Sequence, residues 1–250
     1  AKTPGGPPGV GGLSLFVVPK FLPSGERNDI TLVGLNHKMG NRGITNAVLA
    51  FGDGSHPVNG RPGAVGYLVG QEHAGLRHMF HMMNEARVGI GFLATALGYT
   101  GYLQSLHYAK IRRQGRLPGS DPREPPVAIV EHTDVRRMLL AQKSYVEGAM
   151  ALVLRCSKLV DDQGVCPDAD ERRRLGLLLD VLTPIAKSWP SQWCLEANSL
   201  AIQVHGGYGY ASDYNVEQLY RDNRLNPIHE GTNGIQGLDP LGRKVVISNG

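Results

Sequence analysis

Four short runs of apolar or β-branched residues open the chain: 13–18 (LSLFVV), 30–35 (ITLVGL), 44–51 (ITNAVLAF) and 64–69 (AVGYLV). Clusters rich in Gly, Pro and Asn, such as PSGERND and GDGSHPVNGRPG, separate them. That is the texture of strands joined by turns. Four strands of this length leave a face or an edge poorly covered, so they are expected to be the later part of a larger β unit. From Gln71 the period changes. Residues 71–111 contain no proline and place Leu76, Phe80, Met83, Val88, Ile90, Leu93 and Leu97 at helical spacing, which predicts one helix of about forty residues, roughly 60 Å long. A second helix is expected from Thr133-Asp134 to about Val160, and a third from DADE (168–171) to about Val204. Pro184 and Pro190 fall inside the third and predict a break or kink. Ser212-Asp213 and Thr232-Asn233 are set to cap two short helices, the first running through Arg221. Residues 114–127 (QGRLPGSDPREPPV) read as a long polar loop. The expected fold is α+β and mostly α, with a partial antiparallel β domain over 1–70 and an antiparallel helix bundle over 71–250.

Composition narrows the classes. At 250 residues, 41% hydrophobic and 19% charged, the chain can bury a core without disulfide or metal staples. No window is long and apolar enough for a membrane span, and the start AKTPGGPPGVGG lacks the regions of a secretory signal. A cytoplasmic protein is expected. Cys156, Cys166 and Cys194 are odd in number and lack CxxC spacing, so they are expected to be reduced packing thiols. The +4 balance of 26 basic against 22 acidic residues supports a local anion site more than a nucleic-acid or membrane partner. No metal set is expected, because His78 and His81 lie three apart with no completing carboxylate or Cys.

Four places can carry chemistry. Gln203 to Tyr210 reads QVHGGYGY at a helix end; such a turn serves as a C-cap, and its glycines also allow close approach of another group. Glu230 stands in a loop between apolar Ile228 and the Gly-Thr-Asn helix start, a partly dry setting suited to a general base acting on a weak carbon acid. Asn84 and Arg87 share a face of the long helix. Arg112-Arg-Gln-Gly-Arg116 ends that helix, where arginines complement the dipole or fork onto phosphates.

In this order and spacing, the segments LSLFVVPK, LNHKMGNRGITNAVLAF, MMNEARVGIG, QVHGGYGY, QLYRDNR and HEGTNGIQ resemble the acyl-CoA dehydrogenase family. The resemblance runs from about Gly11 to Lys244, and EGTNGIQGLDPLGRK looks closest to the broad subgroup of 3-methylmercaptopropionyl-CoA dehydrogenase-like enzymes. It implies FAD-dependent α,β-dehydrogenation of an acyl-CoA thioester to the trans-2-enoyl-CoA. Glu230 takes the place of the base, and its own N–H with a flavin ribityl hydroxyl binds the thioester carbonyl. Gly231 and Thr232 match positions against the flavin. Gln203, Gly206 and Gly207 match the turn that receives the adenosine end of FAD from a neighbouring subunit, and Arg112 with Gln114 matches the pair at its pyrophosphate. Asn84 and Arg87 match positions that contact CoA. The family further implies an electron-transferring flavoprotein as acceptor and a homodimer or homotetramer. Its N-terminal helical domain and the first half of its β domain have no counterpart here, so the chain is expected to be a fragment inactive alone.

Three positions depart from the family pattern. Gln114 runs into Gly115 without the usual intervening aromatic, His229 stands where many members have Tyr, and Gly234 replaces a residue that contacts FAD in some members. His229 titrates near neutrality in its ordinary state and can act on its neighbour Glu230. Two readings from other classes accompany the enzyme: a nucleic-acid-binding member of the superfamily, with Arg112, Arg113, Arg116, Arg136 and Arg137 lining a basic groove, and a helix bundle that serves purely as an oligomerisation core.

Overall fold

The computed structural model describes residues 1–246, with the side chains of His81 and Asn84 outside the description. Contacts divide the chain into two compact units, Ala1–Asn84 and Glu85–Gly250.

In the first unit the four expected strands form two antiparallel ribbons. Strand β1 (Leu15–Val17) pairs with β4 (Tyr67–Val69), Leu15 facing Val69, and β2 (Ile30–Leu35) pairs with β3 (Ala47–Phe51), Ile30 facing Phe51. A bulge between Leu32 and Gly34 shifts the register of the second ribbon. Ribbons this short cannot bury their own side chains, and Leu32, Val33, Leu49 and Phe51 remain exposed. The centre of the unit is polar. Asn28 and Asp29 are fully buried. The Asn28 amide donates to Pro19 O and Val65 O and accepts from Val65 N. The Asp29 carboxylate accepts the N–H groups of Gly54, His56 and Gly63 at 2.9–3.0 Å, so the 53–63 loop wraps around it. The Gly63 N–H leads the effects that hold its carboxyl below the usual range.

Helix α1 (Gly75–Ile111) begins inside this unit, where the Gly75 N–H donates to Leu13 O. From Glu85 it belongs to the helical unit, with α2 (Thr133–Val165), α3 (Ala169–His205), α4 (Val216–Asn223) and α5 (Asn233–Asp239). Their core is Tyr102, Tyr108, Met138, Leu139, Val146, Cys194, Ala197 and Val204, with a second cluster of Val88, Cys156 and Ala186. Cys156, Cys166 and Cys194 are free thiols, and burial pushes Cys194 up to about 12.

Local chemistry sets the helix ends. Asp168 caps α3 by accepting from the N–H groups of Asp170 and Glu171, and Thr232 caps α5 through Ile235 N. At α2 the cap position is His132 rather than Thr133, and its ring goes instead to Gln114 O at 2.8 Å. The short α4 starts at Val216, later than Ser212-Asp213 suggests, with Asn215 before it.

The expected break at Pro184 and Pro190 does not occur, and α3 is continuous through both. Each proline leaves a carbonyl four residues earlier without its helical donor. The first, Asp180 O, accepts Lys244 Nζ at 2.6 Å. The second, Ala186 O, has Gly91 of α1 packed so close that a Cβ there would lie 2.0 Å from it. The first freed carbonyl thus gains a donor from distant sequence, and the second is covered by the close packing of α1. Among the described residues no helix is long and apolar enough to cross a membrane.

Candidate active site and cofactor cavity

Two centres form in the helical unit. The first is a cavity of about 890 Å³ where the end of α1, residues 112–115, the start of α2 and the end of α3 converge. Arg112, Gln114, Gln203, Gly206 and Gly207 all line it. Thus five residues predicted from two separate segments meet on one surface. The loop expected at 114–127 is pinned at its mouth as a narrow antiparallel bridge, with Ile129 N on Arg112 O, Gln114 N on Val127 O and Val127 N on Gly115 O. The bridge and His132 together hold Gln114 in place.

At the other wall, α3 ends on Gly206 in a positive-φ conformation (+61°) whose N–H closes on Gln203 O. The turn folds back so tightly that a Cβ on Gly209 would lie 2.4 Å from Ile202 O. His205 stacks on Tyr108 at 4.3 Å, and Tyr214 meets both rings edge-on. Burial lowers the His205 pKa, and its Nδ1, facing Ala201 O at 2.8 Å, carries the proton of the neutral ring. Arg112 lies over the Tyr208 ring at 5.5 Å and touches Gln114 Oε1 at 3.3 Å, while its Nε is buried without a partner. A buried guanidinium N–H left open beside amide groups, glycine backbone and an aromatic cluster fits an anionic group joined to a planar one. The pyrophosphate and adenine of FAD have that chemistry.

The second centre surrounds Glu230, in the loop between α4 and α5. Glu230 is half-buried and adopts φ +52°, a left-handed conformation that few non-glycine residues take. Gly231 follows at φ +94°, and a Cβ there would lie 2.4 Å from Gln236 Nε2. Gln236, almost fully buried in α5, donates to Glu230 O at 2.9 Å and Gly231 O at 3.3 Å. Lys187 of α3 donates to Asn226 O at 2.9 Å and Gly231 O at 2.5 Å. Gly231 and Thr232 thus belong to the Glu230 loop and do not line the cavity. His229 bonds to Asn226 Oδ1 at 3.0 Å, and burial, then the Lys187 charge, lower its pKa.

Arg87 is buried and pairs with Asp239 at 3.0 Å, which gives its guanidinium a protein partner, although Nε has none. The Asn84 side chain lies outside the described residues. Lys187, Asn226 and Gln236 were not among the predicted residues. In sequence each is an isolated polar residue in or beside a helix, and only the folded loop reveals their common target.

The family model for the acyl-CoA dehydrogenase C-terminal domain matches residues 73–241. The 3-methylmercaptopropionyl-CoA dehydrogenase of Ruegeria pomeroyi is 39% identical over 255 residues, covering 100% of this chain and 41% of that protein. The broad-specificity linear acyl-CoA dehydrogenase of Mycobacterium tuberculosis is 37% identical over 260 residues, again covering 100% and 41%. Among solved structures, the FAD complex of an acyl-CoA dehydrogenase from Bacillus anthracis shares the fold with a TM-score of 0.74 at 22% identity, over 92% of this chain and 37% of that one. The chain spans 41% of the length of these curated relatives. With the family model matching well over half of its residues, the chain belongs to the acyl-CoA dehydrogenase family.

Proposed function

We propose that this chain is the base-carrying part of an FAD-dependent acyl-CoA dehydrogenase, with Glu230 as the catalytic base. The observation that carries the reading is the convergence of Arg112, Gln114, Gln203, Gly206 and Gly207 on one cavity, in the same unit that holds Glu230 in a clamped, left-handed turn. Arg112 forks onto the FAD pyrophosphate, Gln114 and Gln203 supply amide contacts, and Gly206-Gly207 lets the adenosine end approach the backbone. When bound there, FAD would supply the acceptor for the hydride that leaves the β-carbon. Glu230 accepts the α-proton, and its main-chain N–H donates to the thioester carbonyl oxygen, which acidifies that proton. Asn84 and Arg87, the latter paired with Asp239, are the positions assigned to contact with the CoA moiety. Gly231 and Thr232 border the flavin. A homo-oligomer completes the cofactor site across subunits, and an electron-transferring flavoprotein takes the electrons onward.

The nucleic-acid alternative has less behind it. Arg113 and Arg116 are bonded to Pro126 O and Glu124 O, while Arg136 and Arg137 pair with Glu131 and Asp134. Four of the five groove arginines thus have partners in their own segments.

The test uses the full-length protein loaded with FAD. In Glu230→Gln, flavin bleaching by butyryl-CoA and octanoyl-CoA falls by about 1,000-fold or more, the scale of losing a positioned base, while both acyl-CoAs still bind. Bleaching at near wild-type rate would remove Glu230 from the role.

A further inference from the structure

Lys187 has no part in the chemistry proposed above, yet it sits at the foot of the Glu230 loop. Among the described residues it is the largest side chain that is fully buried. An ammonium taken out of water is costly unless its protons are matched. Its Nζ donates to Asn226 O and Gly231 O, the carbonyls at the two ends of the segment that presents Glu230.

The loop is tied a second time from below. Asn226 Nδ2 donates to Asn223 Oδ1, Asn223 Nδ2 to Asn198 Oδ1 and Ala94 O, and Asn198 Nδ2 to Leu97 O. The main-chain acceptors at Ala94 and Leu97 fix which end of each amide is the donor. Asn226 Oδ1 is then left to face His229 Nε2, which must supply the proton of that 3.0 Å contact. The chain of amides already anchors Asn226 to α1, α3 and α4 without any charge, so a neutral side chain at 187 would suffice to fill the space. The charged groups around Lys187 are Arg87 of α1, which repels it, and Glu230, which attracts it, with His229 also near. Asp239 of α5 is committed to Arg87 and Arg243.

We infer that Lys187 is a positioning residue for Glu230: it clamps the Asn226 and Gly231 carbonyls so that residue 230 keeps one geometry. The inference rests on the reading of Glu230 as the base. Burial and Arg87 bring the Lys187 pKa down to about 8, so the amine is still protonated near neutral pH and can donate to both carbonyls.

The experiment compares the FAD-loaded full-length protein with Lys187→Met and Lys187→Gln. In Lys187→Met, deuterium uptake in peptides covering 226–232 rises about tenfold, the scale expected for two lost hydrogen bonds, while peptides covering 203–210 exchange as in the wild type. In the same variant flavin bleaching by butyryl-CoA slows by about tenfold or more, the scale of a misplaced reacting group, while the affinity for butyryl-CoA stays within about twofold, so that the loss falls on the chemical step and not on binding. Lys187→Gln keeps one donor without the charge. It should show a smaller rise in exchange and a smaller loss of bleaching rate, and it carries both measurements if the methionine variant does not fold. Uptake at 226–232 within about twofold of wild type, or a bleaching rate that stays at the wild-type level, overturns the inference. If the wild-type protein itself shows no bleaching with either butyryl-CoA or octanoyl-CoA, the reading of Glu230 as the base fails instead, and deuterium uptake alone decides whether Lys187 clamps the loop.

Discussion

Glu230 holds φ at +52°, a conformation that costs a non-glycine residue on the order of 1 kcal/mol. The cost is met by partners on either side, with Gln236 on its own carbonyl and Lys187 on the next one. Arg112 shows the complementary situation. Its Nε is a buried donor with no acceptor, a desolvated state that binding an anion would relieve. In the full-length protein Arg112→Ala should therefore weaken FAD retention by about tenfold to a hundredfold, the worth of a charge-assisted hydrogen bond. Arg112→Lys should recover only part of it, because an ammonium cannot reproduce the planar fork. Equilibrium dialysis against FAD measures both, and unchanged retention in Arg112→Ala would detach this arginine from the cofactor. The residues of the cavity were legible in the sequence because each lies in a contiguous motif. The Lys187, Asn198, Asn223 and Asn226 network was not, since all of its bonds but the one between Asn226 and Asn223 span 25 to more than 100 positions.

At the scale of elements, helix periodicity and capping chemistry carried most of the fold. Asp168 and Thr232 start α3 and α5 where a polar cap ahead of a helical pattern says they should. Periodicity cannot say what meets an interrupted helix. Pro184 and Pro190 lie inside continuous α3; Lys244 comes from distant sequence to the carbonyl the first one frees, and α1 packs closely at Gly91 against the one the second frees. Thr133 likewise looks like the cap of α2, but the tertiary contact of His132 with Gln114 O places the helix start one residue earlier. Gly91 gives this packing a direct test. Its missing Cβ would sit 2.0 Å from Ala186 O, so Gly91→Ala must push α1 off α3 even though alanine is the better helix former. The expected outcome is destabilisation of the helical unit by about 1–3 kcal/mol, read from urea unfolding followed at 222 nm. A stabilised variant would mean that the two helices do not approach this closely. Gly89, with open space around its Cβ position, is the control, and Gly89→Ala should stabilise the helix by a few tenths of a kcal/mol or more.

Across the whole molecule, the two units are organised around opposite kinds of centre and should respond to acid in different windows. The β unit closes its loop on Asp29, whose carboxyl is held below its usual range chiefly by the Gly63 N–H. A depressed carboxylate contributes stability above its unfolded value, near 3.8, and that contribution is lost as pH falls through the folded value. The helical unit instead buries His205 and His229, both depressed mainly by burial. Below the unfolded histidine value of 6.5 the unfolded chain binds protons that the folded rings refuse, so stability falls with pH well before Asp29 titrates. Both tryptophans, Trp189 and Trp193, lie in α3, so their fluorescence follows the helical unit alone. The unfolding free energy read from that fluorescence in urea should drop between about pH 7 and pH 5, by on the order of 1–2 kcal/mol, and the midpoint with it. His205→Phe keeps an aromatic ring against Tyr108 while removing one titrating site, and its profile should be shallower over the same range. A tryptophan midpoint that stays level from about pH 7 to pH 5 would mean that the two histidines are not held neutral by burial, and the dry packing of His205 against Tyr108 at the cavity wall would have to be given up with them.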